Sequence, residues 1–226
     1  MSRHGKRYTD LCSKVDRKQR YGVAEAVALV RSFQRAKFVE SVEISIKLGI
    51  DPKQADQNIR GSISLPKGIG REKKVVAFCD GADVQKCLEA GALKAGGEDL
   101  VKEIQDGFMD FDVALSTPPM MRFVGKLGRV LGPQGKMPSP KSGMVTDDIA
   151  TAVREFRAGR LEYRNDATGN LHMVVGKADF SESDLLANVK AFLDHINSIR
   201  PAAVKGVFVQ KVFLSTTMGP SVPVAV

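Results

Sequence analysis

The sequence predicts a two-domain protein of mixed α and β structure. An open-faced α+β domain built from both chain ends, residues 1–67 and 159–226, is interrupted by an α/β insert, residues 68–158. Three observations carry this. The segment FVESVEISIKLGI alternates strictly, with Val42, Ile44, Ile46 and Leu48 on one side and Glu43, Ser45 and Lys47 on the other. This is a half-buried strand of an antiparallel sheet with one wet face. From Lys73 the pattern changes to short apolar runs separated by short helical stretches, and at Arg160 the first pattern returns. The charge divides in the same way: residues 1–67 hold 14 Lys/Arg against 7 Asp/Glu, residues 68–158 hold 13 of each, and residues 159–226 hold 7 against 6.

In chain order, GVAEAVALVRSF has helical spacing through Val23, Val27 and Val30, and IRGSISLP reads as a second strand before the flexible PKGIGR. In the insert, KVVAFC and FDVALST are buried-type strands, GADVQKCLEAG and EDLVKEIQDG are helices, and PPMMRFVGKLG starts a helix behind prolines. TDDIATAVREFRAG is a further helix with Thr146 as its candidate N-cap. After the insert, RLEYR, the turn NDATGN and LHMVVGK predict a hairpin. The segment SESDLLANVKAFLDHINSIRP is an amphipathic helix stopped by Pro201, and VFVQKVFL is the last strand. The two crossings near residues 67 and 159 are adjacent and suit a hinge.

That last strand runs into STTMGPSV. Counting by twos places Lys211, Phe213, Ser215 and Thr217 on one face and Val212, Leu214, Thr216 and Met218 on the other. Hydroxyls therefore gather just before Gly219, where a polar partner can dock closely.

An apolar content of 43% places the chain among globular proteins, and no apolar stretch approaches the roughly 20 residues of a membrane span. The first residues carry charge but no apolar core of a secretory signal. Cys12, Cys79 and Cys87 form no C-x-x-C pair and suit reduced thiols in a cytoplasm. The net charge is +8, and its excess, concentrated before residue 21, fits a polyanion bound by the composite domain. Nucleotide motifs are absent: LGPQGKMP has Val130 where a P-loop needs its first glycine, and no G-x-G-x-x-G follows the strand at 75–79. His4, His172 and His195 are too far apart for a local ligand motif. His195 is expected on the solvated side of its helix, and His172 on the wet side of the sheet. Asp147 and Asp148 suit a helix N-terminus better than acid–base chemistry.

Four long blocks, AKFVESVEISIKLGIDPKQADQNIRGSISLP, GKLGRVLGPQGKMPSPKSG, EYRNDATGNLHMVVGK and STTMGPSV, stand in an order that resembles a known family. It is the bacterial large-subunit ribosomal protein family numbered one, the protein of the mobile stalk, and the match runs from HGKRY to MGPSV. The resemblance implies an open-faced α+β sandwich built from both chain ends with an inserted Rossmann-like α/β domain. It departs at Val39, where relatives often carry an acid, and at Met144, where they usually carry Thr.

The resemblance also implies the function. The composite domain would grip a folded segment of large-subunit (23S) ribosomal RNA, and the protein would help release deacylated transfer RNA from the exit site. It would also repress its own operon by binding a similar fold in the messenger. It implies a cytoplasmic, non-enzymatic protein on the large subunit, monomeric off the ribosome, with no cofactor, metal, membrane or small-molecule substrate. Carried over by position, the RNA contacts are Lys37, Phe38, Ser41, Glu43 and Lys47 on the first strand, and Gly169 and His172 near the hairpin. Lys211, Ser215, Thr217, Met218 and Gly219 complete them. Two alternatives stay open: Phe38, in register with Val42 and Ile44, also suits a core position with Met218 packed against it, and Lys37 and Lys47 suit plain solvated charges. The loop 125–143, with Lys126, Arg129, Lys136 and Lys141, reads as a rigid closure of the insert or as a surface facing RNA. The competing function is an RNA-modifying enzyme with a basic recognition domain, which a Gly-rich cofactor loop after residue 79 would favour; CDGADV does not supply it.

Overall fold

The computed structural model describes residues 5–33 and 36–225; His4 lies outside them. In chain order the elements are α1 (Lys6–Ser13), α2 (Val23–Ser32), β1 (Ser41–Leu48), β2 (Arg60–Ser64), β3 (Val75–Phe78), α3 (Gly81–Glu89), β4 (Lys94–Gly96) and α4 (Glu98–Gln105). There follow β5 (Val113–Ser116), α5 (Met121–Val124), α6 (Gly128–Leu131), α7 (Ile149–Ala158), β6 (Arg160–Arg164), β7 (Asn170–Lys177), α8 (Glu182–Ser198), β8 (Val209–Thr216) and β9 (Val222–Val224). They form two compact units. One holds the described residues up to Arg60, Leu65–Gly70 and those from Tyr163 onward; the other holds Gly61–Ser64 and Arg71–Glu162.

The first unit is built on a four-stranded sheet of order β7-β1-β8-β9. Its pairs are antiparallel, and β1 is buried at every second residue, as the alternation of its side chains requires. Val42, Ile44, Ile46 and Leu48 point to the same side as Leu171, Met173, Val212 and Leu214, and all are buried. That side is covered by α2, through Ala26, Val27 and Val30, and by α8, through Leu185, Val189, Phe192 and Ile196. Ser181 caps α8 by accepting from the Asp184 N–H at 3.1 Å. Among the described residues no helix packs on the opposite side of the sheet, so this unit is an open-faced α+β sandwich.

The second unit has a three-stranded parallel sheet of order β4-β3-β5 with helices on both faces, a Rossmann-like α/β arrangement. Residues of β3 and β5 are buried on both sides, so both strands read as continuous apolar runs without alternation. Val75 and Ala77 pack with Cys87, Val153 and Phe156 of α3 and α7, whereas Val76 and Phe78 pack with Leu100, Ile104, Val124, Leu127 and Leu131.

Three expectations need correction. β6 and β7 do not form a hairpin: β6 pairs with β2 in a separate two-stranded sheet, and a single bridge, Asn165 with Leu171, links the two arms. The turn between them is real, but the arms serve different sheets. The N-cap of α7 is Asp148, which accepts from the Thr151 N–H at 3.2 Å, while the Thr146 N–H is bonded to Ser116. His195 is not on a wet face; its Nε2 lies 2.8 Å from the Tyr163 hydroxyl, its ring stands edge-on to that tyrosine, and burial lowers its pKa. α1, β4 and β9 answer to no element expected from the sequence.

Candidate nucleic-acid interface

The open side of the sheet is a grid set by register. Glu43 lies between Val174 and Ser215, Ser45 between His172 and Phe213, and Lys47 between Asn170 and Lys211. Partners opposite one another in a ladder point the same way, so these side chains share one surface. Strand rise of about 3.3 Å per residue makes the grid roughly 20 Å long from Ser41 to Lys47. It brings together Ser41, Glu43, Lys47, His172, Lys211 and Ser215.

One end of the grid is organised by a residue that sequence reasoning passed over. Glu40 is 2% exposed, and its carboxylate gathers two loops and a helix. Oε1 accepts from the Ala36 N–H at 2.7 Å and lies 3.5 Å from the Arg7 guanidinium of α1; Oε2 accepts from the Met218 N–H at 3.1 Å. Arg7 also donates to the Met218 carbonyl at 3.4 Å. Burial pushes the Glu40 pKa up. Hydrogen bonds from the Thr216 hydroxyl, Ala36 and Met218, together with the Arg7 charge, outweigh it, and the net shift is downward. Glu40 is therefore a buried carboxylate kept ionised by its partners. The only signal in the sequence is its place, an acid at the alternating strand's start on the side that becomes buried.

Lys37, Phe38 and Met218 stand on the two loops that Glu40 joins. Lys37 and Phe38 precede β1 rather than belonging to it. Phe38 and Met218 are each 52% exposed, and Val39 50%, which removes the core alternative for Phe38. Met218 leaves the buried side of β8 because the strand ends at Thr216 and the chain turns, with the Gly219 N–H on the Thr216 carbonyl at 3.2 Å. Thr217 extends the ladder through its side chain. Its Oγ1 accepts from the Ser41 N–H at 3.0 Å, and its own N–H donates to the Ser41 carbonyl at 3.0 Å. At Gly219 a Cβ would collide with Thr216 Oγ1 and come within 3.2 Å of Phe33, so the protein's own packing already demands glycine there. Ser41 Oγ accepts from Lys177 Nζ at 2.8 Å.

The other end of the grid rests on the turn 165–170. Asp166 accepts from the Thr168 N–H and hydroxyl, both at 2.8 Å, and from the Asn170 N–H at 2.7 Å. Burial raises its pKa, and these bonds drive it well below the usual carboxylate range. Gly169 is buried, with φ +78, a left-handed conformation in which its carbonyl takes the Leu48 N–H at 3.0 Å. Lys47 donates to the Thr168 carbonyl. His172 is exposed, with Nδ1 at 3.0 Å from Ser45 Oγ and Nε2 at 3.8 Å from Asp166.

The loop 125–143 belongs to the other unit. Leu127 and Leu131 are in its core, and Lys136 donates to the Met109 carbonyl at 3.1 Å, 4.9 Å from the Phe111 ring centroid. Lys136 thus ties the loop down, while Lys126, Arg129 and Lys141 are exposed. Cys79 and Cys87 are buried thiols 3.8 Å apart, and burial pushes the Cys79 thiol up to about 12. Among the described residues no group of three or more His, Cys, Asp or Glu is placed to hold a metal ion, and no helix is long and apolar enough to cross a membrane.

The fold and this surface define a two-domain α+β protein with one open, hydroxyl-lined and largely basic sheet face. The chain belongs to the ribosomal protein L1p/L10e family, whose model matches residues 30–220. It is 50% identical over 225 residues to the large ribosomal subunit protein uL1 of Thermosipho africanus, covering 99% of this chain and 97% of that protein. It is 48% identical to the proteins of the same name from Deinococcus radiodurans, over 226 residues, and Thermus thermophilus, over 223. Those matches cover 100% and 98% of this chain, and 97% of each relative.

Proposed function

We propose that this protein is a constituent of the large ribosomal subunit in the cytoplasm and binds large-subunit ribosomal RNA through the open sheet face of a composite domain, residues 1–67 and 159–226. The observation that carries the reading is the grid itself. Ser41, Glu43, Lys47, His172, Lys211 and Ser215 share one surface that no helix covers among the described residues, and Phe38, Thr217 and Met218 are exposed at one end of it. Hydroxyls donate to and accept from 2′-hydroxyls, lysines meet phosphates, and an exposed ring offers a stacking platform. Glu40 and Asp166 supply the preorganisation by fixing the two ends before RNA arrives.

From membership of the family we further infer a place in the mobile stalk, a part in releasing exit-site transfer RNA, and repression of the protein's own operon through a messenger fold that imitates the ribosomal site. Co-sedimentation tests the main reading: purified protein added to large subunits lacking it should travel with them in a sucrose gradient at moderate salt. Recovery only at the top of the gradient refutes it.

A further inference from the structure

At the β9 edge of the same sheet lies a concave space of about 230 Å³. One wall is Arg17, Lys18 and Arg20; the other is Gln210 and Lys211, with Phe213 and the end of β9 beneath. This is smaller than the roughly 300–1,000 Å³ of most small-molecule sites and suits a single phosphate group. Four cations line it and no carboxylate does. Among the described residues none of the four forms an ion pair with an acid. Asp16, the one acid between Lys14 and Tyr21, is turned into its own loop, where Oδ1 accepts from the Lys18 N–H at 2.9 Å.

The basic wall is folded structure, not a trailing arm. Tyr21 forms a parallel bridge with Val224; its N–H donates to the Pro223 carbonyl at 3.0 Å, and its carbonyl accepts from the Ala225 N–H at 2.8 Å. Its hydroxyl in turn accepts from the Asp16 N–H at 3.0 Å, which fastens the loop at both ends. Like charges held this close repel unless an anion sits among them. Lys211 belongs to this space and also faces Lys47 on the open grid, so the two regions are continuous.

We propose that this pocket is a second subsite for nucleic acid, holding one backbone phosphate of an RNA strand that runs over Lys47 and Lys211 and off the sheet at β9. The proposal rests on the RNA-binding reading above. It assigns to Arg17, Lys18 and Arg20 a fixed contact with one phosphate, in place of a diffuse attraction.

The test uses the full chain with Arg17→Gln, Lys18→Gln and Arg20→Gln combined, and a second variant, Arg17→Lys with Arg20→Lys, that keeps the charge. Isotherms with a large-subunit ribosomal RNA fragment are measured across a salt series, with Tm as the folding control. Loss of one phosphate contact should make the log–log salt slope of the triple variant shallower by about 0.7–0.9. Its affinity should fall most at low salt, and its preference over a scrambled stem should persist. The lysine variant should recover most of the slope. An unchanged slope in the triple variant overturns the proposal while leaving RNA binding by the sheet intact. Protection of the wild type, and not the triple variant, by inorganic phosphate with equal RNA slopes also overturns it, in favour of a free-anion site. Failure of the wild type to prefer the ribosomal fragment defeats the underlying reading, and this proposal with it.

Discussion

On the proposed interface, Thr217 would serve the fold and a ligand together. Its hydroxyl accepts the Ser41 N–H at 3.0 Å and donates to the Ser41 carbonyl at 3.4 Å, which leaves a second lone pair for a partner. Thr217→Val keeps shape and strand propensity and removes all three. Both groups are exposed, so water replaces the bonds to Ser41 and the free protein should lose well under about 1 kcal/mol. Against RNA the partner of the hydroxyl becomes buried and unpaired, which costs on the order of 1–3 kcal/mol, or roughly ten- to a hundred-fold in affinity. The expected result is that loss of affinity at fixed salt with a nearly unchanged Tm; equal affinity removes Thr217 from the interface. The glycines are less ambiguous. Gly219 and Gly169 are glycine for reasons inside the protein, the first a blocked Cβ and the second a left-handed turn. The family resemblance also places both at the RNA, and in a sequence a missing side chain looks the same whichever neighbour requires its absence.

Among elements, Glu40 is the junction of α1, the approach to β1 and the end of β8. Its folded pKa lies below the ordinary value of 4.5. A lowered carboxylate pKa stabilises the fold fully above the unfolded pKa, and that contribution is lost as pH falls through the folded pKa. Glu40→Gln imitates the protonated state. The variant should therefore melt below the wild type at neutral pH, and the gap should close as pH is lowered through the acid range. A gap that stays constant with pH would show that the charge plays no part. The variant should also weaken RNA binding by loosening the loops that carry Phe38 and Met218, a loss separable from unfolding by measuring affinity well below Tm. The same scale explains what pattern reading missed. α1 rests on the buried Leu11 and on Arg7 reaching across 211 positions to Met218, and β9 is a three-residue strand containing proline. Neither has enough local periodicity to announce itself. The apparent hairpin of β6 and β7 had good local chemistry, but β6 found β2 and β7 found β1.

At the scale of the molecule, the unit carrying the candidate interface has its own core, with α2 and α8 against the inner face of the sheet. Residues 1–67 joined to 159–226 through a short Gly-Ser linker should fold and keep most of the RNA affinity, within a few-fold of the whole chain. The stub is well held: Asn188 is fully buried, accepts the Lys67 N–H at 3.1 Å, and donates to the carbonyls of Gly68 and Val175. A glycine as first linker residue preserves the Gly68 contact. A folded joined chain that binds hundreds-fold more weakly would move the site into the insert.

The sequence by itself determined the two kinds of sheet, since strict alternation permits one wet face and continuous apolar runs permit none. It also determined which side of β1 and β8 meets water, and hence the row of Glu43, Lys47, Lys211 and Ser215, because a period of two leaves no other choice. Tertiary structure alone decided which strands pair, that Phe38 stays exposed while Glu40 is buried, and that a basic segment near the N-terminus walls a pocket at β9. Each of these depends on residues far apart in the chain meeting in space, through hydrogen bonds and charge contacts that leave no periodic trace in the chain that makes them.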